Sequence, residues 1–280
     1  MQDYVRPGSL SEAIEALKTE GALPICGGTD LLVKRRMGLV DPAVLVDLSF
    51  IPALRVLREE DGEIEIGAAV PITDIIDSPL VSGKLPLLPR VLGKLGSLQI
   101  RNRASLGGNI VNASPAADSA IPLLLYDASL IIVGRDGERT IPVEGFFRGP
   151  GRTALEEGEL IRSVRVPIPR SDYAAFFHKV GKRKALTIAI AFLGSLARVE
   201  GEKIAEIRIA AGSVAPTPIR LRRTEGLLTG ARLTPETIEK ARASAHDEVS
   251  PIDDLRGSAA YRRAVIGDLV ARAIREAGGL

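Results

Sequence analysis

Residues 99–118 read QIRNRASLGGNIVNASPAAD, and the rest of the chain is organised around this stretch. A polar, basic lead-in (Arg101, Asn102, Arg103) is followed by a hydroxyl at Ser105 and paired glycines at Gly107 and Gly108. An amide follows at Asn109, then an Asn-Ala-Ser-Pro turn and Asp118, just ahead of the apolar run IPLLLYDA. Adjacent glycines let a backbone approach a ligand closely and aim its N–H groups at an anion. Asn and Ser side chains add neutral donors and acceptors. No nucleophile–base pair is present, so the stretch reads as a cradle for a phosphate-bearing ligand. The competing reading is ordinary turn chemistry, a Gly-Gly before a strand-like run and an Asn-Ala-Ser-Pro before a helix. Residue types alone leave both open.

A second glycine pair lies upstream. Residues 22–26 predict a short strand, Gly27-Gly28 a turn, and Leu31, Leu32 and Val33 a helix capped by Thr29 or Asp30. A strand feeding two glycines and a helix start is a natural anion seat. Lys34, Arg35 and Arg36 fall in the last turn of that helix, where basic residues suit the dipole without any ligand.

Around these loops the pattern alternates between strands and helices. Ser9 and Glu12 form a capping-box pair opening a first helix. Hairpins are expected around Asp61-Gly62 and Asp136-Gly137, and helical spacing recurs at 72–76, 85–95 and 117–126. Residues 149–154, GPGRTA, match a loose dinucleotide-loop pattern. They lack a preceding strand and run into Glu156-Glu157-Gly158-Glu159 rather than an apolar helix, so the match is discounted. A strand at 160–166 and two prolines, Pro167 and Pro169, close the first part. Beyond Ser171, strands at 174–180, 188–199 and 203–211 precede three helices at 224–228, 234–249 and 259–277. The basic clusters 182–184 (Lys-Arg-Lys) and 220–223 (Arg-Leu-Arg-Arg) read as solvated loops.

Composition excludes several classes. A chain of 280 residues, 45% hydrophobic and 26% charged, allows about two domains with a sizeable core. A net charge of +2 and the absence of Trp give no footprint for nucleic acid or an anionic membrane. One cysteine, Cys26, excludes an internal disulfide, and an iron–sulfur cluster needs more thiolates than this chain has. The two histidines, His178 and His246, lack companions at ligand spacing, so no metal site is expected. The N-terminus, MQDYVRPGSL, lacks a signal-peptide pattern, and the apolar run 185–197 falls short of the ~20 residues of a membrane helix. A cytoplasmic protein is expected.

Residues 99–118 as a whole resemble the second flavin-binding loop of the FAD-binding (medium) subunit of the molybdenum hydroxylases, the xanthine dehydrogenase family. The likeness covers nearly the whole chain. It includes the opening Arg6-Pro7-Gly8-Ser9-Leu10, the PICGGTDL loop, the Phe177-His178-Lys179 strand and residues 210–216, AAGSVAP. The Gly-Gly-Thr-Asp-Leu-Leu form of the first loop and the form of residues 101–118 look closer to xanthine dehydrogenase than to carbon monoxide dehydrogenase, whose first loop tends to carry His-Ser. The 4-hydroxybenzoyl-CoA reductase branch carries an extra cysteine-bearing segment that this chain lacks. The resemblance implies an α+β fold. Residues 1–170 would form a two-lobed FAD-binding domain of the vanillyl-alcohol oxidase/MurB type, with lobes at about 1–53 and 54–170. Residues 171–280 would form a small domain of a sheet plus three helices.

Carried over by position, the first flavin loop corresponds to Pro24, Ile25, Cys26, Gly27, Gly28, Thr29, Asp30 and Leu31, and the second to Ser105, Leu106, Gly107, Gly108 and Asn109. Asp118 matches an aspartate that hydrogen-bonds the flavin, Ile161 an apolar residue lining the site, and Lys179 a lysine near the cofactor. The commoner family form has Gly at the position of Ala104. The resemblance further implies FAD as this chain's cofactor, and no side chain in the sequence stands out as a general acid or base. A small [2Fe–2S] subunit and a large molybdenum-cofactor subunit would be partners in a dimer of heterotrimers, with electrons passing from the clusters through FAD to NAD⁺ or another acceptor. Two other readings stay open: a stand-alone flavin oxidoreductase of the vanillyl-alcohol oxidase/MurB class, and a non-catalytic assembly subunit.

Overall fold

The computed structural model describes residues 3–170, 172–183 and 186–279. The expected domain start at Ser171, Lys184 of the basic cluster and Ala185 of the apolar run lie outside the described residues.

Three short strands, β1 (Asp3–Val5), β2 (Ala22–Ile25) and β3 (Val44–Asp47), form a parallel sheet in the order β1-β3-β2. Parallel neighbours need crossovers, supplied by α1 (Leu10–Ala16) and α2 (Leu31–Arg36). The start of α1 follows from its sequence. Ser9 Oγ accepts from the Glu12 N–H at 3.2 Å, and the Glu12 carboxylate accepts from the Gly8 N–H at 2.7 Å.

A hairpin of β4 (Leu57–Glu60) and β5 (Glu63–Gly67) opens the next lobe, turning through Asp61 and Gly62 at φ 53° and 78°. The chain then winds through α3 (Ile72–Asp77), α4 (Pro79–Lys84), α5 (Leu87–Leu92), α6 (Leu98–Arg101), α7 (Leu106–Val111) and α8 (Ala120–Leu125). It returns as β6 (Ser129–Gly134) and β7 (Gly137–Pro142), and a small hairpin of β8 (Phe147–Gly149) and β9 (Arg152–Thr153) takes the 149–154 glycines as its turn. Finally β10 (Leu160–Pro167) inserts between β5 and β6, giving the antiparallel order β4-β5-β10-β6-β7. A bulge between Ile161 and Ser163 interrupts this central strand where it reaches the site.

The C-terminal part is a sheet of β11 (Ala174–Val180), β12 (Ala191–Glu200), β13 (Lys203–Gly212) and β14 (Ile219–Arg220), in sequence order, with α9 (Arg222–Leu228), α10 (Pro235–Glu248) and α11 (Ala259–Ala277). The strand expected at 188–199 thus begins three residues later. Side chains of β12 alternate between two cores. Phe192 and Leu196 join the core of the preceding lobe, while Leu193 and Ala197 join the one shared with α10 and α11. An added Cβ on Gly194 would lie 2.6 Å from Ile121 and 3.1 Å from Leu125, so this glycine seats α8 against the sheet.

Arginines of the same sheet hold the end of α8. Arg208 and Arg220 donate to the carbonyls of Leu125 and Leu124, each at 3.0 Å, and pair with Asp127 at 2.7 and 2.9 Å. Arg220 therefore departs from the solvated-loop expectation. It is buried and forked onto Glu225 at 2.6 and 2.9 Å, because that carboxylate and the free helix-end carbonyls supply acceptors. No described helix is long and apolar enough to cross a membrane.

Candidate functional site

The turn between β2 and α2 faces the start of α7 and the bulged end of β10 across a cleft. Its empty space is about 1100 Å³ with the open mouth included. Pro24, Ile25, Cys26, Gly27, Gly28, Thr29, Asp30 and Leu31 line one wall, and Ser105, Gly107, Gly108 and Asn109 the other. Ile161 contributes from β10. Leu106 does not line the cleft; it is fully buried in the core. Asp118 and Lys179 stand apart from the lining as a pair of their own. Lys34, Asn112 and Glu159 also line the cleft, and sequence reading did not single out any of them for it.

Backbone donors dominate the first loop. Among the described residues, none of the N–H groups of Gly27, Gly28, Thr29, Asp30 and Leu31 donates to a protein acceptor. A run of unspent N–H groups along a concave wall is an anion-binding nest. Asp30 stands at the N-cap of α2 but makes no capping bond, contrary to expectation. Its φ −110° and ψ −50° lie in the helical region, whereas a cap needs extended geometry to reach back to the helix N–H groups. Its carboxylate pairs instead with Lys34 at 2.7 Å.

The two glycines of this loop serve different needs. An added Cβ on Gly27 would lie 1.7 Å from the carbonyl oxygen of Arg103, so the two loops touch backbone to backbone here. Gly28 sits at φ +70°, which a side chain disfavours.

The second loop corrects the reading of its residues as loop or strand. Residues 106–111 form helix α7, because Ser105 (φ −102°, ψ 159°) accepts from the Gly108 N–H at 3.1 Å and caps it. Its other N–H groups and the Asn109 amide oxygen are spent inside the protein as well. Asn109 N–H donates to Ser105 O at 3.0 Å, and Asn109 Oδ1 accepts from the Ser119 hydroxyl at 2.6 Å. Leu106 and Gly107 donate to Val70 O and Ala68 O at 3.2 and 2.9 Å. A Cβ on Gly107 would meet the Ala68 Cβ at 2.6 Å, so this glycine is required by packing. Gly108 differs: a Cβ there would meet only Ser105 Oγ, at 3.0 Å, and would otherwise project into open space. Ala104 is not among the positive-φ residues, so replacing the commoner glycine strains nothing.

Lys179 donates from β11 to Asp118 Oδ2 at 2.6 Å and to the Lys94 carbonyl at 3.2 Å. The side chains are 10% and 7% exposed, and Asp118 Oδ1 is buried without a hydrogen-bond partner among the described residues. Burial pushes the Asp118 carboxyl up against the opposing pull of the Lys179 charge. Burial likewise pushes the Cys26 thiol up to about 11, outweighing its hydrogen bond with Ser105, which keeps it protonated and unreactive at neutral pH. Among the described residues no group of three or more His, Cys, Asp or Glu side chains could hold a metal ion.

Residues 1–169 match the model of the FAD binding domain in molybdopterin dehydrogenase, and residues 176–277 that of the CO dehydrogenase flavoprotein C-terminal domain. The carbon monoxide dehydrogenase medium chain of Hydrogenophaga pseudoflava is 35% identical over 98% of this chain and 96% of its own length. The putative xanthine dehydrogenase FAD-binding subunit of Escherichia coli is 34% identical over 98% and 95%. These identities do not separate the two branches, so the first-loop leaning toward xanthine dehydrogenase gains nothing from them. Among solved structures, a chain of carbon monoxide dehydrogenase from H. pseudoflava superposes with a TM-score of 0.95, covering 99% of this chain and 97% of that one at 35% identity. A chain of quinoline 2-oxidoreductase from Pseudomonas putida gives 0.94 at 28% identity, covering 100% and 97%.

Proposed function

We propose that this chain, which belongs to the family of FAD-binding medium subunits of the molybdenum hydroxylases, holds one FAD in the cleft between its glycine loops. It would serve there as the electron-transfer subunit of a cytoplasmic complex. Electrons would arrive from a [2Fe–2S] subunit, itself supplied by a large subunit holding the molybdenum cofactor, and leave to NAD⁺ or another acceptor. A dimer of heterotrimers is the assembly proposed, and residues 1–170 and 171–280 the domains.

The observation that carries the reading is the unspent run of N–H groups from Gly27 to Leu31, facing Gly108 across the cleft. A diphosphate needs several donors and close backbone approach, and this wall supplies both. Pro24 through Leu31 would hold the diphosphate side. Ser105 through Asn109 would form the opposite wall, with Leu106 anchoring it from the core. Ile161, placed by the β10 bulge, would give the ring an apolar surface. The orphaned Asp118 Oδ1 fits a flavin donor group, and Lys179 would hold that carboxylate in place. When bound, FAD takes up and releases one or two electrons, and so joins carriers of either kind. With Cys26 protonated, Asp30 paired with Lys34 and Glu159 with Arg139, this chain's residues bind and orient rather than transfer protons.

Purification of the native protein with its partners tests the proposal. Flavin absorbance together with iron–sulfur absorbance and two further chains is expected. A yellow chain running alone would favour a stand-alone flavoenzyme, and a colourless preparation would overturn the cofactor itself.

A further inference from the structure

We infer that Lys34 is the cation that meets the ligand's diphosphate, a role that rests on the proposed FAD reading of the cleft. Among the described residues three charged side chains line the cleft: Asp30, Lys34 and Glu159. Glu159 is committed to Arg139, which donates to its two oxygens at 2.7 and 2.6 Å. Asp30 adds a negative charge beside the N–H run. Among the described residues Lys34 is thus the one cationic side chain in the lining, in a wall that has to accept two negative charges.

Its placement suits that task. Lys34 lies four residues beyond Asp30 on α2, which brings its amine back over the nest; Nζ is 2.7 Å from Asp30 Oδ2. The same amine donates to Asn112 Oδ1 at 2.6 Å, on the opposite wall just past α7, and so spans the mouth between the two loops. Both contacts are weak holds. A half-exposed Lys–Asp pair contributes little in water, so the amine can turn to a diphosphate at small cost. A phosphate oxygen carries more charge than the Asn112 amide oxygen and makes the stronger hydrogen bond to an ammonium. The Asn112 contact therefore holds the amine in the cleft mouth before the ligand arrives. Assigning the basic turn of α2 to the helix dipole alone hides this role, because helical spacing places Lys34 toward the cleft while Arg35 and Arg36 are exposed.

Titrations of the deflavinated full-length chain with FAD, and with riboflavin as a competitor lacking phosphate, test the assignment. Lys34→Gln keeps an amide donor toward Asn112 and removes the charge; FAD affinity is expected to fall about tenfold with riboflavin affinity unchanged. The dependence of FAD affinity on salt should weaken in the same variant. Lys34→Arg, which keeps the positive charge, should retain most of the FAD affinity that Lys34→Gln loses. Unchanged FAD affinity in Lys34→Gln, while wild type binds FAD, would overturn the inference. Equal losses for FAD and riboflavin would also overturn it, by showing that Lys34 acts through the wall-to-wall contact. A wild-type chain that takes up no FAD would overturn the underlying reading of the cleft.

Discussion

The two glycine loops look alike in sequence and are built on opposite principles. From Gly27 to Leu31 the backbone N–H groups find no acceptor among the described residues, while from Leu106 to Asn109 every N–H is used within the protein. The first loop is a surface of spare donors and the second a capped helix acting as a wall. A paired glycine therefore does not by itself announce a phosphate seat. The deciding quantity is where the neighbouring N–H groups are spent. The C-terminal sheet matters to the second loop, since it seats α8, whose N-terminal approach carries Asp118 and Ser119.

Substitutions can break this contrast at graded strengths. Gly27→Ala drives a methyl into the Arg103 carbonyl, where the loops meet, and backbone on both sides leaves no room to yield. A stability loss above about 4 kcal/mol, or failure to fold, is expected in urea unfolding. Lys179→Ala leaves the Asp118 carboxylate buried alone and should cost about 3 kcal/mol. The sign of its pH dependence is fixed. Asp118 already titrates above its usual value, so the stability it contributes is present at acid pH and lost as pH rises through its folded value. Without the Lys179 charge that value moves higher still, and the variant should lose stability with rising pH more steeply than wild type in parallel melts.

Gly108→Val tests the open face of the wall. Its Cβ meets only Ser105 Oγ, and valine is no worse than glycine in a helix, so the melting temperature should hold within a few degrees. FAD affinity should nevertheless fall roughly a hundredfold, because the side chain occupies the space of approach. Undiminished FAD binding in this variant would move the ligand away from α7. The smallest effect belongs to Ser105→Ala, which removes the cap and should cost about 1 kcal/mol of stability. Its FAD affinity should stay near wild type, as the hydroxyl is spent on Gly108; a large loss of affinity with little loss of stability would make the second loop a donor surface after all.

Local chemistry made much of the fold legible. The Ser9–Glu12 pair placed α1, Asp61-Gly62 placed the first hairpin, and unbroken helical spacing gave α11 its observed bounds. Helix α7 was hidden because two glycines and an asparagine read as breakers, whereas one serine cap and packing against Ala68 suffice to hold six residues helical. Burial of Arg220 was equally hidden, since its acceptors come from Glu225, Asp127 and the end of α8, distant in sequence or on another element. Residue types marked both loops of the cleft, but not which one keeps its donors free. Backbone hydrogen bonding decides that, and Ser105, a residue that looks like a ligand contact, is consumed by it.

Amide hydrogen exchange of the deflavinated chain, with and without added FAD, tests the contrast most directly. Amides 27–31 should exchange quickly without FAD and slow at least about tenfold with it, while amides 106–109 are slow in both conditions. FAD that binds without protecting 27–31 would contradict the assignment of the first loop as the diphosphate seat.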